Sequence, residues 1–366
     1  MKHNGNDENP ALIQARKLAE AEHRTIYPKF SWEISSEEYF LYKSTDRDKR
    51  VAGALFGQSV GDALGLAAES KSKKKIEALY PDPYWPSDYQ EVIRKNCSWL
   101  SGEFSDDTEQ ALAILDAHFE NPYEFVQEFF AEYLYDWYKN NSKGIGKLSG
   151  KVMSHSDFLT NPAKAAKESW EEMGKPSPNG AVMRTSYVGI IKPWDLEWTR
   201  ATAISAASTT HADPLCIRSA TAISLMISYL VEGIPIEDAF EKINNEFPDL
   251  AEWTNKSLEE LKLDEGLDEG DSKIGHTLKC FGAGFWALRE FDNKHILDNC
   301  EGQFLDILRQ VIRAGGDTDT NAAVAGSLMG AYIRFQNIPK HLVSGLVRKN
   351  DLYDYLARLM HEHRKR

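Results

Sequence analysis

The hexapeptide Gly315-Gly316-Asp317-Thr318-Asp319-Thr320 packs three hard oxygen donors, Asp317, Asp319 and Thr320, into four positions at a helix start. Carboxylates are favoured there by the helix dipole and by free backbone N–H groups. A lone Asp-Thr-Asp is ordinarily a helix cap, but one cap needs one acceptor and this stretch offers three. The two glycines ahead of it permit a sharp bend and a close approach. Oxygen-only donors suit Mg²⁺, Mn²⁺ or Ca²⁺ rather than zinc. A second cluster has the same character. Ser105-Asp106-Asp107-Thr108 runs into Ala111, Leu112, Ile114 and Leu115 at helical spacing, again with one acid more than a cap requires. The two clusters read as halves of one metal site. They lie more than 200 positions apart, so the chain's own spacing does not bring them together.

Other chemistry-bearing residues sit at element ends. Gly53, Gly57, Gly61 and Gly65 recur every fourth residue, with Asp62 inside the stripe and Glu69 just beyond it. Four helical glycines cost about 1 kcal/mol each against alanine, so the stripe implies a close neighbour, most simply a packed helix. The two acids are not explained by packing. Asn141 to Gly146 reads as a flexible loop, and Pro176 to Arg184 as a turn into a helix start where free N–H groups suit a phosphate. Thr210-His211-Ala212-Asp213-Pro214 leads into an apolar helix from Cys216 to Leu230. A histidine at such a junction is usually structural. Asp264 to Asp271 is acidic but lacks the alternating acids of a calcium loop, and reads as a solvated turn.

Nearly every periodic segment has the 3.6-residue period, including the aromatic run Phe125, Phe129, Phe130, Tyr133 and Trp137, and Leu352, Leu356 and Leu359 near the C-terminus. Convincing alternating strands are missing, so the fold class is all-α, with 71–100 expected as a long surface loop. The chain has 366 residues, 42% of them hydrophobic, enough for a sizeable core. A net charge of −13, from 43 Lys and Arg against 56 Asp and Glu, argues against general nucleic-acid or anionic-membrane binding. Four scattered cysteines without a C-x-x-C pair favour a reducing compartment. No apolar signal core opens the chain, and Ala220 to Val231 is short for a bilayer; a cytoplasmic protein is expected. Residues 1–50 differ in character. Pro10 to Glu22 predicts an amphipathic helix, followed by aromatics among charges and the charged stretch Asp46 to Arg50. This extension reads either as a docking arm or as a segment packed on its own domain, which begins near Val51.

Five motifs, in order, resemble the ADP-ribosylglycohydrolase family: Gly53 to Gly65 with Glu69, Ser105 to Thr108, Asn179 to Arg184, Thr210 to Pro214, and Gly315 to Thr320. The resemblance implies a compact multi-helix domain over 51–366 with two Mg²⁺ or Mn²⁺ ions at the base of a cleft. It implies that Ser105, Asp106 and Asp107 ligate from one helix start, and Asp317, Asp319 and Thr320 from the other. Glu69 and Asp107 become the candidates for the catalytic acid or base. Gly144, Gly146, Asn179, Gly180, Ala181, Met183 and His211 become candidates for lining the ADP-ribose site. The departures are Ser105 where threonine is usual and Asn321 in place of an apolar residue. The implied activity is hydrolysis of ADP-ribose from a protein side chain, arginine foremost, with ADP-ribose as product. The extension resembles the arm of relatives that act as immunity proteins against ADP-ribosyltransferase toxins, which makes such a toxin the implied partner of residues 1–50. The alternative is a non-catalytic protein that keeps the fold and acts by occluding a partner.

Overall fold

The computed structural model describes residues 44–93, 98–270, 273–294 and 299–365. The amphipathic helix expected over 10–22 and the rest of the extension before residue 44 lie outside the described residues. Among the described residues, seventeen α-helices carry nearly all the regular structure. In chain order these are α1 (Asp46–Gly65), α2 (Lys73–Leu79), α3 (Asp106–Glu120), α4 (Gln127–Asn141), α5 (Lys147–Met153), α6 (Pro162–Glu172), α7 (Val188–Ile191), α8 (Leu196–Ser208) and α9 (Pro214–Val231). There follow α10 (Ile236–Glu246), α11 (Ala251–Asn255), α12 (Leu258–Leu261), α13 (Thr277–Lys294), α14 (Cys300–Arg313), α15 (Thr318–Ile333), α16 (Lys340–Gly345) and α17 (Lys349–Arg364). Four two-residue strands, β1 (Lys71–Ser72), β2 (Val92–Ile93), β3 (Ser98–Trp99) and β4 (Gly315–Gly316), form two antiparallel pairs, β1 with β4 and β2 with β3.

The centre is the antiparallel pair α1 and α15. Gly53 faces Gly330, Gly57 faces Gly326, Gly61 faces Ala322 and Gly65 faces Thr318 and Asp319, so closely that a Cβ at any of these glycines would overlap the opposing backbone. The stripe is therefore a helix-packing seam, as its period suggested. Its antiparallel register sets the C-terminus of α1 beside the N-terminus of α15. The pairing of Lys71 with Gly316 and Ser72 with Gly315 fastens the same corner. Gly315 and Gly316 have φ of +81° and +86°. The close approach they allow is made by the backbone of Lys71 and Leu263.

Three expectations need correction. The charged stretch Asp46 to Arg50 belongs to the domain, because it is the first turn of α1, capped by Thr45 in a capping box with Asp48. Arg50 donates to the carbonyls of Leu230, Ala331 and Tyr332, closing the C-terminal ends of α9 and α15. A division at residue 50 thus cuts a continuous helix. The supposed loop 71–100 contains β1, α2 and the β2–β3 pair. The turn after Pro176 reaches α7 only through further turns and a 3₁₀ segment, Thr185–Tyr187, so no long helix starts at Arg184. Two runs, Asp46–Ala68 and Pro214–Val231, are long and apolar enough to cross a membrane by composition, yet 100% and 78% of these windows are buried inside the fold. They are core helices.

Candidate functional site: an acidic cluster at the meeting of three helix ends

Glu69 follows α1 by one 3₁₀ turn, Leu66–Ala68. The α1–α15 seam carries it to the start of α15, where single carboxylate oxygens of Glu69, Asp317 and Asp319 lie within 4.8 Å of one another. Asp317 stands at the N-cap of α15 but makes no side-chain cap bond. Its Oδ2 accepts instead from Asn179 Nδ2 at 2.8 Å. Capping does not account for this acid.

The start of α3 arrives from the other side, and α1 aims it. Asp62, fully buried, accepts from Ser105 N at 2.9 Å, Thr108 N at 3.1 Å and Thr108 Oγ1 at 2.7 Å. An acid of α1 thus fills the donors at the mouth of α3. Ser105 caps the helix, and its hydroxyl donates to Asp107 Oδ2 at 2.9 Å. Asp107 Oδ1 is buried and has no partner among the described residues. Gln58, one turn before Asp62, donates to the carbonyls of Asp107 (3.0 Å) and Met183 (3.1 Å), tying α3 to the Asn179–Arg184 segment.

These carboxylates meet electrostatically. Burial pushes Asp106 well above the usual carboxylate range, and the charges of Asp62, Glu69 and Asp317 push it further. Asp107 is raised by burial and by Asp62, Asp106 and Asp317, and Asp319 by burial and by Glu69, Asp317 and Asp107. The two halves of the sequence-predicted cluster therefore form one site. So many buried acids, with Asp107 Oδ1 unpartnered among the described residues, are costly to ionise together unless a bound cation offsets their charge. An all-oxygen donor set of Glu69, Ser105, Asp106, Asp107, Asp317, Asp319 and Thr320 fits a hard divalent ion.

A model of the ADP-ribosylglycohydrolase family matches residues 43–366. The chain belongs to the ADP-ribosylglycohydrolase family. It is 25% identical over 343 residues to ADP-ribosylarginine hydrolase Tri1 of Serratia proteamaculans, covering 90% of this chain and 83% of that one. With the ADP-ribosyl-[dinitrogen reductase] glycohydrolase of Rhodospirillum rubrum it shares 24% identity over 306 residues, 81% of this chain and 90% of the relative. A solved structure described as an ADP-ribosylglycohydrolase-related protein complex superposes with a TM-score of 0.64 at 22% identity, covering 86% of this chain and 98% of the other. The last likeness shows the shared fold.

The residues expected around ADP-ribose in this ADP-ribosylglycohydrolase fall into two groups. Asn179, Gly180, His211 and Gly144 stand at the cluster or beside it. A Cβ at Gly180 would lie 3.0 Å from His211 Cε1 and 3.2 Å from Ser149 Oγ, and one at Gly144 (φ +83°) would lie 2.5 Å from Asp106 Oδ1. His211 Nε2 is buried without a partner among the described residues. Burial and the nearby Arg184 hold the ring well below its usual pKa, so it is neutral. Ala181 packs instead in a small core cluster with Ala207, Cys216 and Ala220. The buried Met183 presents its carbonyl to Gln58, and Gly146 stands at the N-cap of α5. Sequence reading left Asp62 unexplained and passed over Gln58, Gln110 and Ser149. A polar residue inside a glycine-striped core helix is the signal that could have flagged Gln58. A second group, His155, Asp157 and Glu168, is also close enough to hold a metal. It is partly exposed and shared with the Lys164 ammonium, so surface ion pairing explains it.

Proposed function

We propose that this chain hydrolyses the bond between ADP-ribose and a modified arginine side chain, using two divalent cations, Mg²⁺ or Mn²⁺. The observation that carries this reading is the Asn179–Asp317 hydrogen bond. It ties the acidic cluster to Asn179, whose neighbour Gly180 packs against His211. Ser105, Asp106 and Asp107 would hold cations from α3, and Asp317, Asp319 and Thr320 from α15. Such ions supply Lewis acidity, which lowers the pKa of bound water and holds ribose hydroxyls. Glu69 and Asp317 are both less buried than Asp106 and Asp107, and with Asp317 tied to Asn179, Glu69 is the better candidate for taking a proton from bound water. Asp107 has one oxygen tied to Ser105 and suits a ligand role. Departure of the leaving group from ribose C1 develops oxocarbenium character, which the surrounding carboxylates favour. Asn179 N–H groups and His211 Nε2–H would orient the nucleotide.

The test is release of free ADP-ribose from arginine- and serine-ADP-ribosylated proteins in Mg²⁺. Release from arginine, lost in Asp106→Ala and Asp317→Ala, is the expected result. Release from serine alone would replace the linkage. No release and no calorimetric binding of ADP-ribose would overturn the reading. A second reading, occlusion of an ADP-ribosyltransferase toxin by the N-terminal extension, is compatible with the first. It is supported by where the extension joins, at Ser44 ahead of α1, whose 20 residues span about 30 Å at 1.5 Å per residue and put the extension at the opposite end of that helix from Glu69. The retained set of acids disfavours a purely non-catalytic protein.

A further inference from the structure

A buried chain of hydrogen bonds links the metal side of the site to its nucleotide side, with Arg184 in the middle. Arg184 is fully buried. Its Nη1 donates to Gln110 Oε1 at 2.7 Å, and its Nη2 donates to Ala206 O at 2.9 Å and Thr210 Oγ1 at 2.7 Å. Gln110 Nε2 in turn reaches Asp106 Oδ2 at 3.4 Å. Thr210 Oγ1 meets His211 Nδ1 at 2.7 Å. At the far end, His211 Nε2 lies beside Gly180 without a partner among the described residues. Among the described residues no carboxylate pairs directly with the guanidinium, which lies over the Phe130 ring 5.2 Å from its centroid.

A guanidinium has donors and no acceptor, so it fixes the polarity of everything bonded to it. Gln110 must turn its carbonyl to Arg184, which leaves its NH₂ facing Asp106. Thr210 Oγ1 accepts from Arg184, and among the described residues His211 Nδ1 is the one acceptor its hydroxyl proton meets, so that proton goes to Nδ1. That makes Nδ1 the acceptor and puts the ring proton on Nε2. We infer that Arg184 is a positioning residue that sets both ends at once: an N–H held toward the metal-side carboxylate Asp106, and a neutral His211 locked as the Nε2–H tautomer, a donor for an oxygen of the bound nucleotide. What His211 faces rests on the function proposed above; the tautomer does not.

Three variants separate the two halves. Thr210→Val breaks only the histidine half, Gln110→Leu only the aspartate half, and Arg184→Met both. The decisive measurement is the ¹⁵N spectrum of the imidazoles, with His211→Gln identifying the signal of His211. The wild type is expected to show a pyrrole-type Nε2 and a pyridine-type Nδ1. Thr210→Val and Arg184→Met should lose that pattern, Gln110→Leu should keep it, and Thr210→Ser should restore it. In parallel, Thr210→Val should weaken ADP-ribose binding about tenfold with Mn²⁺ affinity unchanged, because it leaves buried donors and acceptors unpaired. Gln110→Leu should weaken Mn²⁺ binding by about tenfold or more, as loss of an outer-shell partner does. A wild-type His211 protonated on Nδ1, or a Thr210→Val spectrum identical to wild type, overturns the inference. If Arg184→Met does not fold, the Thr210 pair decides alone. If the wild type binds no ADP-ribose, the proposed function fails while the tautomer still reads out in the spectrum.

Discussion

Gly57 and Gly326 stand backbone against backbone, so that a Cβ on either would overlap the carbonyl oxygen of the other. This contact fixes the separation and the register of α1 and α15. The register carries Gly65 to Thr318 and Asp319, and so sets Glu69 among Asp317 and Asp319. The seam that holds the core together is also what assembles one half of the acidic cluster.

Gly57→Ala and Gly326→Ala are therefore expected to destabilise by at least the ~1–3 kcal/mol typical of overpacking, because the clash is with rigid backbone and not with a side chain that can swing away. Metal affinity should fall with stability, since the helix ends shift together. Gly150→Ala in α5, where an added Cβ makes only ordinary contact with Ile145 at 3.6 Å, should be neutral or stabilising by up to ~1 kcal/mol. Thermal melts with and without Mn²⁺ check both. Equal effects at the two kinds of position would contradict the seam.

The seam was legible in the sequence because a glycine every fourth residue has few other uses in a core helix. Surplus acids at two helix starts were legible for the same reason, since capping could not absorb them. That the two starts meet was not legible, because the meeting depends on antiparallel register between helices far apart in the chain. Nor was the work of Asp62, whose partners Ser105 and Thr108 lie over 40 residues away. The strand pair β1–β4 escaped notice because two-residue strands have no alternation to read.

Removal of metal should destabilise the protein more as pH rises. Burial pushes Asp62 up to about 6, and Asp106, Asp107 and Asp319 are raised well above 3.8. A carboxyl whose folded pKa exceeds its unfolded value near 3.9 contributes stability that is fully present below that value. The contribution is lost as pH climbs through the folded pKa. For Asp62 the loss runs from about pH 4 to pH 6, and for the other three it extends higher. The metal-free protein should accordingly melt at lower temperature at pH 8 than at pH 5, apart from any global acid effect. Metal binding needs the deprotonated acids, so the melting difference between Mn²⁺ and EDTA samples should widen over the same interval. A difference that narrows with pH would count against a carboxylate-held cation.

Asn321 follows Thr320 on α15, fully buried, with neither Oδ1 nor Nδ2 partnered among the described residues. The family resemblance places an apolar residue here. An unmade pair of hydrogen bonds on buried polar atoms costs about 1–3 kcal/mol. Asn321→Leu, close in shape and without the polar atoms, should raise the urea midpoint with an unchanged m-value. A lowered midpoint would mean that Asn321 is satisfied by a group bound in solution.

The extension offers a way to separate catalysis from any partner binding. The domain begins with the capping box of Thr45 and Asp48 ahead of α1. A chain starting at Ser44 keeps that cap, the clamp of Arg50 on the ends of α9 and α15, and every residue of the acidic cluster. It should fold with an unchanged melting temperature and release ADP-ribose at the wild-type rate. A chain starting at Val51 should not, because it loses the cap, worth ~1 kcal/mol, and also Arg50. The segment removed in the first case carries Leu12, Ile13, Leu18, Tyr27, Phe30, Trp32, Tyr39 and Phe40, residues of the kind that dominate interfaces. If these residues occlude a transferase, the chain from Ser44 should lose tight binding to it while keeping hydrolysis. The full-length Asp106→Ala, Asp317→Ala double variant should do the reverse, binding and inhibiting without hydrolysis. Calorimetry against the transferase and an ADP-ribose release assay on the same two proteins give the comparison. A chain from Ser44 that unfolds or loses activity would show that the extension belongs to the domain's own core, and the occlusion reading would lose its basis while the acidic cluster kept its chemistry.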